Sequence, residues 1–489
     1  MLHINKNTIK FVSILFISMV LNGCKKDFLD INPKGKLIAQ KTSDYDLLLN
    51  DQALTLVTPA SHILMSDEVA GSSPAFSSLG AGIGTLADQK AFKWEDDIYV
   101  QGDNASEISL LVKGIYTNNK IINEVMTSEG GTDAQKKAIL AEALAGRAWA
   151  NFVLINLYGK PYNTNSSLTD LGIPLLKTAD VTQTKFTRAT VQEAYDLIIA
   201  DLNQAIPDLS ATVVSRVRMS KAAAKALLAK VYVFMGKFDQ ALPLLNGSIS
   251  DLTGAEVPVG LYNFSTELAA GGAFYPSNPI VGPPRNDPNK DKEIVFLRYT
   301  PNYYSYVFSG AVISPEASAL FKASDLRKQF LTPYSFGMAS VYPLGMLRTY
   351  GKGYSSMGIT VPDMYLLRAE CRSRLGDLPG AATDMQAFRL NRMPAADAAV
   401  PAGVSGDQVT LTKFILEERI REFAVNGDRW FDMRRLSVDP VYKSTVGTTH
   451  RIYDNSGAVT ATYTLRPERL TFRFPLYIMN ANPDMPQNP

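Results

Sequence analysis

The stretch that decides the fold is residues 221–245, which read KAAAKALLAKVYVFMGKFDQALPLL. It contains two short helical patterns separated at Gly236. In the first pattern Leu228, Ala229 and Tyr232 share one face, and the many alanines allow a second helix to approach closely. Gly236 can adopt the positive φ that a tight helix stop requires. The stretch therefore predicts two helices joined by a tight turn.

The order of residues here, Leu-Ala-x-x-Tyr-x-x-x-Gly-x-Phe-x-x-Ala, resembles the tetratricopeptide helix–turn–helix unit. Such a unit cannot bury its apolar face alone, so we expect partner helix pairs elsewhere in the chain. A weaker copy lies 140 positions further on, with Leu367, Ala369, Gly376, Leu378 and Ala381 in equivalent places. Helical patterns also cover residues 106–126, 134–158, 190–206 and 410–436.

Composition limits the possible functions. The 489 residues are 46% hydrophobic and 20% charged, and the net charge of +2 gives no reason to expect a nucleic-acid partner. Cys24 and Cys371 are the two cysteines, too few for a disulfide framework or a cysteine zinc site. The three histidines are widely scattered. We therefore predict no metal site and no cofactor.

Residues 1–23 have the pattern of a signal peptide. After a basic start, residues 11–21 (FVSILFISMVL) form an apolar run that is too short to span a membrane. Residues 21–24, Leu-Asn-Gly-Cys, resemble a bacterial lipobox, in which the cysteine is acylated and becomes the first mature residue. We therefore predict that Cys24 is lipidated, that residues 24–40 form a tether, and that the acyl chains anchor the protein to a membrane.

Residues 412–436 read TKFILEERIREFAVNGDRWFDMRRL and place five acids among five arginines. An enzyme can use a pair of carboxylates, but here each carboxylate has a guanidinium within reach that would keep it ionised. The pattern favours an ion-paired network around Trp430. The sequence also has no G-x-S-x-G and no H-E-x-x-H, so we predict no catalytic residues.

The order ILEERIREF…GDRWFDMRR in this stretch looks like the C-terminal signature of the SusD/RagB family of outer-membrane nutrient-binding lipoproteins. Other blocks agree in the same order. CKKDFLDINP resembles the family's lipidated N-terminus, AEALAGRAWANFVLINLYGKPY its first long repeat helix, and FRFPLYIMNANPDMPQNP its tail. The resemblance extends over nearly the whole chain.

This resemblance implies a mostly α fold, with about four tetratricopeptide-like helix pairs, a loop-rich and partly irregular variable subdomain, and a few short strands. The implied segments are a signal peptide (1–23), a lipidated tether (24–40), an N-terminal helical region (41–250), a variable ligand-facing region (251–360) and a C-terminal region (361–489).

The resemblance also implies a function. Members are not enzymes; they bind a nutrient, usually a glycan and in some cases a peptide, and deliver it to a TonB-dependent (SusC-like) transporter. The expected location is the outer membrane, with the protein lipid-anchored and surface-exposed. Surface-exposed members often carry acidic residues directly after the lipidated cysteine, whereas Lys25 and Lys26 come first here. Whether the anchor faces the cell surface or the periplasm therefore stays open.

Aromatic side chains in the loops are the candidate ligand-binding residues, because the apolar face of a sugar stacks on a ring. The candidates are Tyr275, Arg285, Tyr303, Tyr304 and Tyr306 in the variable region and Phe76 in the Gly/Ser-rich loop 70–89. The three tyrosines at 303–306 fit equally well as residues packed against the body. Trp94, Trp149 and Trp430 are expected in the core.

Two other functions remain open. The chain could be a tetratricopeptide lipoprotein that binds peptides or scaffolds proteins in a concave helical groove; burial of Tyr303 by the repeat helices would favour this function. It could also be a surface glycan hydrolase, which would require a nucleophile–base pair or two convergent carboxylates.

Overall fold

The computed structural model describes residues 39–57, 61–73, 75–80, 82–278, 280–285, 287–305 and 308–489. Cys24, the signal peptide, most of the tether and Tyr306 lie outside the described residues, so the predictions about them stay predictions. The helices, numbered in chain order, are α1 Thr42–Leu48, α2 Ser61–Leu64, α3 Leu86–Phe92, α4 Ser106–Glu124, α5 Asp133–Tyr158, α6 Val191–Ala205, α7 Lys221–Phe234, α8 Phe238–Ser250, α9 Phe264–Glu267, α10 Pro315–Ser318, α11 Val361–Arg374, α12 Leu378–Arg389, α13 Ala395–Ala398, α14 Ala402–Ser405, α15 Gln408–Glu422, α16 Asp428–Ser437 and α17 Leu476–Ala481. The strands are β1 Val69–Ser72, β2 Ile294–Phe296, β3 Tyr299–Pro301, β4 Ala311–Ile313, β5 Leu331–Thr332, β6 Arg348–Thr349, β7 Tyr354–Ser356, β8 Ile359–Thr360, β9 Thr449–Tyr453 and β10 Val459–Thr464.

The predicted helix–turn–helix unit is confirmed, and so is its copy. Helices α7 and α8 are joined at Gly236, which has φ of +74°, and α11 and α12 are joined at Gly376, which has φ of +86°. An L side chain at either position would occupy the left-handed region, which glycine adopts without steric cost. A glycine with positive φ therefore forms the turn in both helical hairpins.

The helices stack in sequence order into one body. Helix α4 packs on α5, α5 on α6, α7 on α8, α8 on α11, and α11 on both α12 and α15. Among the described residues, α5 is the one helix long and apolar enough to cross a membrane, but 83% of its apolar window is buried inside the protein. It is the central core helix of a mostly α fold, as the sequence predicted.

The largest sheet was not predicted. Its four strands have the order β10-β9-β1-β4, and β1 pairs in parallel with β9, which lies about 380 positions later in the chain. No strand forms at residues 470–476. Residues 467–470 form a short 3₁₀ turn, and Phe472 and Phe474 pack against Tyr158. The other strands form two-stranded pairs, β2–β8, β3–β7 and β5–β6.

The arginine-rich stretch forms the predicted buried ion network. Glu418 is fully buried and accepts hydrogen bonds from Arg327, Arg389 and Arg421, each at 2.6 Å. Burial raises the pKa of a carboxyl, but these three guanidinium groups outweigh it and hold the pKa of Glu418 well below its usual range. The expected burial of Trp94, Trp149 and Trp430 is confirmed, since each is at most 5% exposed.

Candidate functional site

Three loops of the described chain meet on one side of the four-stranded sheet. They are the described parts of residues 73–85, which follow β1, and of residues 303–310, which precede β4, together with residues 333–347, which lie between β5 and β6. We call their joint exposed surface the loop face. Strands β1 and β4 are antiparallel neighbours, with Gly71 opposite Ala311. The end of β1 therefore lies beside the start of β4, and the loop that follows β1 lies next to the loop that precedes β4.

Backbone hydrogen bonds hold the three loops together. The Gly310 N–H donates to the Gly82 carbonyl at 2.7 Å, and the Phe336 N–H donates to Ser309 Oγ at 3.0 Å. The Tyr342 hydroxyl donates to the Ser309 carbonyl at 3.1 Å. The second loop is thus bonded to both of the others, and the loop face has a defined shape rather than three independent segments.

The first loop is tight because of its glycines. Gly80 and Gly84 exchange backbone hydrogen bonds of 2.6 and 2.8 Å and enclose Gly82. A Cβ at Gly82 would lie 2.1 Å from the Ala75 carbonyl oxygen and 2.2 Å from that of Ser78, which is closer than any real contact. The glycines at positions 80, 82 and 84 therefore allow close backbone packing in this loop.

Among the described residues of the loop face, two aromatic rings are exposed. Tyr303 is 47% exposed and Phe336 is 46% exposed. The Tyr303 ring lies 5.7 Å from the ring of Phe308, and the backbone N–H of Phe336 donates a hydrogen bond to Ser309. Phe308 and Ser309 are neighbours in the chain, so the residues that carry the two exposed rings contact adjacent positions. Exposed apolar side chains continue the surface; they are Leu79, Met338, Val341 and Leu344.

Two of the predicted ligand-binding residues are not exposed. Phe76 is 3% exposed and packs against Phe92 of α3, with ring centroids 4.6 Å apart. Tyr304 is 5% exposed, and burial raises its pKa well above the usual value. Neither ring is available at the surface to stack on a ligand, because α3 covers Phe76 and the loop folds Tyr304 inward beside Phe308.

Tyr275 and Arg285 lie on a separate loop, residues 269–285, which packs beside the loop face. Both side chains are exposed, and Tyr275 is 50% exposed. The contact between the two surfaces runs through Tyr350 and Arg348. Gly282 lies directly against Tyr350, and the Arg348 guanidinium lies 5.5 Å from the Tyr350 ring and 5.9 Å from the Phe336 ring.

Sequence reasoning did not identify Phe336 or the third loop. The available signal was the run PYSFGMASVYPLGML at 333–347, which combines aromatic residues, glycine and proline without a helical or strand period. A run of this kind indicates an irregular segment, but nothing local shows that it approaches Ser309. Only the folded chain shows that Phe336 contacts Ser309 and so lies on the same surface as Tyr303.

Two cavities lie away from the loop face. One, of about 480 Å³, runs between β1, β9 and α15 and is lined by both acids and bases, including Glu68, Glu417 and Arg451. The other, of about 170 Å³, lies between the variable region and α15. Its carboxylates are ion-paired, for example Asp291 with Lys352 at 2.6 Å. Among the described residues no three His, Cys, Asp or Glu side chains are grouped to hold a metal ion.

Comparison with known proteins agrees with the sequence resemblance. Residues 27–233 match a family model described as "Starch-binding associating with outer membrane", and residues 347–489 match the model of the SusD family. The chain belongs to the SusD/RagB family, whose members are carbohydrate-binding proteins and not enzymes. No curated protein matches the sequence.

Solved structures share the fold. A Bacteroides vulgatus protein is 20% identical, with a TM-score of 0.69, and the match covers 93% of this chain and 99% of that one. A SusD superfamily protein of Bacteroides thetaiotaomicron is 18% identical, with a TM-score of 0.65 and coverage of 92% and 100%. A SusD-like carbohydrate binding protein of B. vulgatus is 17% identical, with a TM-score of 0.63 and coverage of 91% and 97%.

Proposed function

We propose that this protein is a lipid-anchored outer-membrane protein that binds an oligo- or polysaccharide at the loop face and delivers it to a TonB-dependent transporter. Family membership supports the general role. The observation that carries the site is the pair of exposed rings, Tyr303 and Phe336, which flank Phe308 and Ser309 on loops bonded to each other. Binding involves no chemical step.

The geometry suits sugars for a physical reason. A pyranose ring has an apolar face of C–H groups and an edge of hydroxyl groups. Tyr303 and Phe336 offer ring faces, and an aromatic contact of this type is worth about 1 kcal/mol. Ser77, Ser78 and Ser340 are exposed beside them and can exchange hydrogen bonds with hydroxyl groups. Two rings and several hydroxyls give a chain of sugars more than one contact.

The position of the site in the chain also supports this function. The two family models match residues 27–233 and 347–489, and the second and third loops lie almost entirely in the interval between them. A segment that a family model does not describe is where a ligand-specific surface is expected, because loops tolerate change better than the frame that holds them. The first loop lies within a matched range and supplies the tight backbone turn.

The alternative of a peptide-binding helical scaffold receives no specific support. It would be favoured if the repeat helices buried Tyr303 and left an open helical groove, but Tyr303 is about half exposed. A hydrolase would release reducing sugar when purified protein is incubated with a polysaccharide. We expect no release, and sustained release would replace the binding function with a catalytic one.

The binding test uses protein that begins after Cys24. We expect this protein to bind members of a glycan array, and the Tyr303→Ala and Phe336→Ala variants to bind the same glycans about fivefold to tenfold more weakly, as the loss of one aromatic contact requires. Tyr477→Ala is the matched control, because Tyr477 is 41% exposed but lies on α17, outside the loop face. Equal weakening by all three substitutions would reject the loop face as the site.

The transport part of the proposal has its own test. Full-length protein and a Cys24→Ser variant are expressed in the native host with an affinity tag. We expect mass spectrometry to find acyl chains on Cys24 and a barrel transporter to co-purify with the lipidated protein. An unacylated Cys24, or purification without a transporter, would contradict the proposed anchoring or delivery respectively.

A further inference from the structure

The loops that surround the proposed site contain no charged residue. None of residues 73–85, 269–284, 303–310 or 333–347 is Asp, Glu, Lys, Arg or His, although 20% of the whole chain is charged. Four separate segments, far apart in sequence, share this property and lie side by side in the fold. The loops that form this surface therefore contribute no charged side chain to it.

Two charged residues next to this surface are covered. Arg348 lies beneath Phe336 and is 1% exposed. Asp88 is 7% exposed, and its Oδ2 accepts hydrogen bonds from the N–H and the hydroxyl of Thr85, both at 2.7 Å. Asp88 therefore closes the capping box at the start of α3 rather than facing solvent. Exposed charges stand at the border of the surface. Arg285 directly follows the uncharged segment 269–284, Lys328 lines a cavity together with Pro333 and Leu347, and Glu316 lies on α10, which packs against residues 343–345.

An acidic ligand would bind poorly to such a surface. Moving an ionised carboxylate or sulfate from water onto an apolar face removes hydration, which must be replaced by a cation or by several hydrogen-bond donors. Protein sites for these groups use arginine in bidentate contact or clustered lysine. The loop face offers rings, aliphatic side chains, serine hydroxyls and peptide groups, which match a ligand without charge.

We infer that the site selects neutral saccharides, and that uronic-acid-containing and sulfated polysaccharides are excluded from it. This inference rests on the proposed function and narrows its ligand class. Short peptides are disfavoured by the same argument, because every free peptide carries a charged amino and carboxyl terminus and the loops supply no partner for either. Neutral sugars lose no ionic hydration on binding, and their C–H faces gain contact with Tyr303 and Phe336.

A second consequence concerns ionic strength. Binding between charged groups weakens as salt screens their attraction, and the Debye length falls from about 30 Å at 0.01 M to about 3 Å at 1 M salt. Contacts made by ring stacking and neutral hydrogen bonds lack this dependence. The affinity of the native ligand should therefore change less than about twofold between low and high salt.

The experiment measures retention of the protein lacking residues 1–24 in native gels that contain a polysaccharide, at 20 and 500 mM NaCl. The neutral set is starch, β-glucan, xylan, mannan and galactan; the acidic set is polygalacturonate, alginate and chondroitin sulfate. Polygalacturonate and its fully methyl-esterified form make a matched pair, since they share a backbone and differ in charge. A pool of mixed short peptides is tested by calorimetry.

We expect every polysaccharide that retains the protein to be neutral, with retention that does not depend on salt. Binding of an acidic polymer or of the peptide pool, weakened more than fivefold by salt, would overturn the inference while leaving a nutrient-binding function intact. Failure to bind any polysaccharide or peptide would reject the proposed function itself. Tyr303→Ala in the same assay separates specific retention from nonspecific retardation, because only specific retention is weakened by the substitution.

Discussion

The stacked helices, which we call the frame, and the loop face differ in their content of charged residues. Around α15 and α16 the frame buries whole side chains of arginine, glutamate and aspartate, including Arg389, Arg434 and Glu418 at no more than 2% exposure. The loop face contains no charged residue and exposes rings and aliphatic groups instead. A buried charge costs several kcal/mol unless it is paired, and Glu418 is paired with Arg327, Arg389 and Arg421. A surface that binds and releases a neutral ligand does not require oppositely charged side chains.

The frame's network also extends beyond one carboxylate. Asp432 accepts hydrogen bonds from Arg419 at 2.7 Å and from Arg435 at 2.8 Å, and Arg435 in turn binds both oxygens of Glu370. Arg419 continues to Asp363 of α11. These contacts join α11, α15 and α16 with defined geometry, so the network fixes how the last helices dock.

The largest change in stability is expected from a substitution that disrupts the buried ion network. Glu418→Gln leaves Arg327, Arg389 and Arg421 without their shared counter-charge in a buried site, and we expect the free energy of unfolding to fall by about 3–5 kcal/mol. Urea denaturation monitored by tryptophan fluorescence measures it. Glu417→Gln is the matched control, since Glu417 is the exposed neighbour, and it should change stability by less than about 0.5 kcal/mol. Similar losses for both variants would mean that the network does not stabilise the frame.

A second effect should appear in the pH dependence of stability. Glu107 of α4 is 2% exposed; burial raises its pKa to about 7, although hydrogen bonds from Tyr158 and Tyr99 oppose the shift. A raised pKa means that the folded protein binds this proton more tightly than the unfolded chain, in which Glu titrates near 4.5. Glu107 therefore costs stability progressively as pH rises from about 4.5 to about 7, at roughly 1.4 kcal/mol per pKa unit.

The Glu107→Gln variant tests whether ionisation of Glu107 lowers the stability of the folded protein. It keeps an oxygen that can accept from the two tyrosines but cannot ionise, so its stability relative to the original protein should increase between pH 4.5 and 7. Glu418, whose pKa is lowered, contributes in the opposite direction. Its stabilisation is present above about pH 4.5 and is lost as the pH falls below that value. Parallel stability curves for the original protein and the Glu107→Gln variant would contradict the prediction.

The smallest change in stability, with a clear change in binding, is expected at Gly82. A methyl group there would overlap the carbonyl oxygens of Ala75 and Ser78, so Gly82→Ala should displace the first loop from Gly310. We expect glycan affinity to fall about tenfold, or 1.4 kcal/mol, with little change in global unfolding, because loops open locally. Gly236→Ala is the counterpart in the frame; its Cβ meets open space at φ of +74°, so it should cost about 1 kcal/mol of stability and leave binding unchanged.

Some of the site could be anticipated and some could not. The variable region was expected to be rich in loops, and Tyr303 and Tyr275 are exposed there. The stretch 70–89 was expected to be a loop, but it also contains most of β1 and the start of α3. Phe76 and Tyr304 carry the same local signal but point inward, because α3 and Phe308 happen to cover them. Whether a loop ring faces solvent depends on elements distant in sequence, and no local pattern contains that information.

The amino-acid sequence by itself determined the helical frame. Helical spacing, the capping box of Thr190 with Glu193 and the stop at Gly236 all act over a few neighbouring residues, and each is found in the folded chain. The tertiary structure alone decided the sheet and the loop face. The pairing of β1 with β9 and the approach of Phe336 to Ser309 join residues that local forces do not relate, and they form only when the packed frame brings distant segments within hydrogen-bonding range.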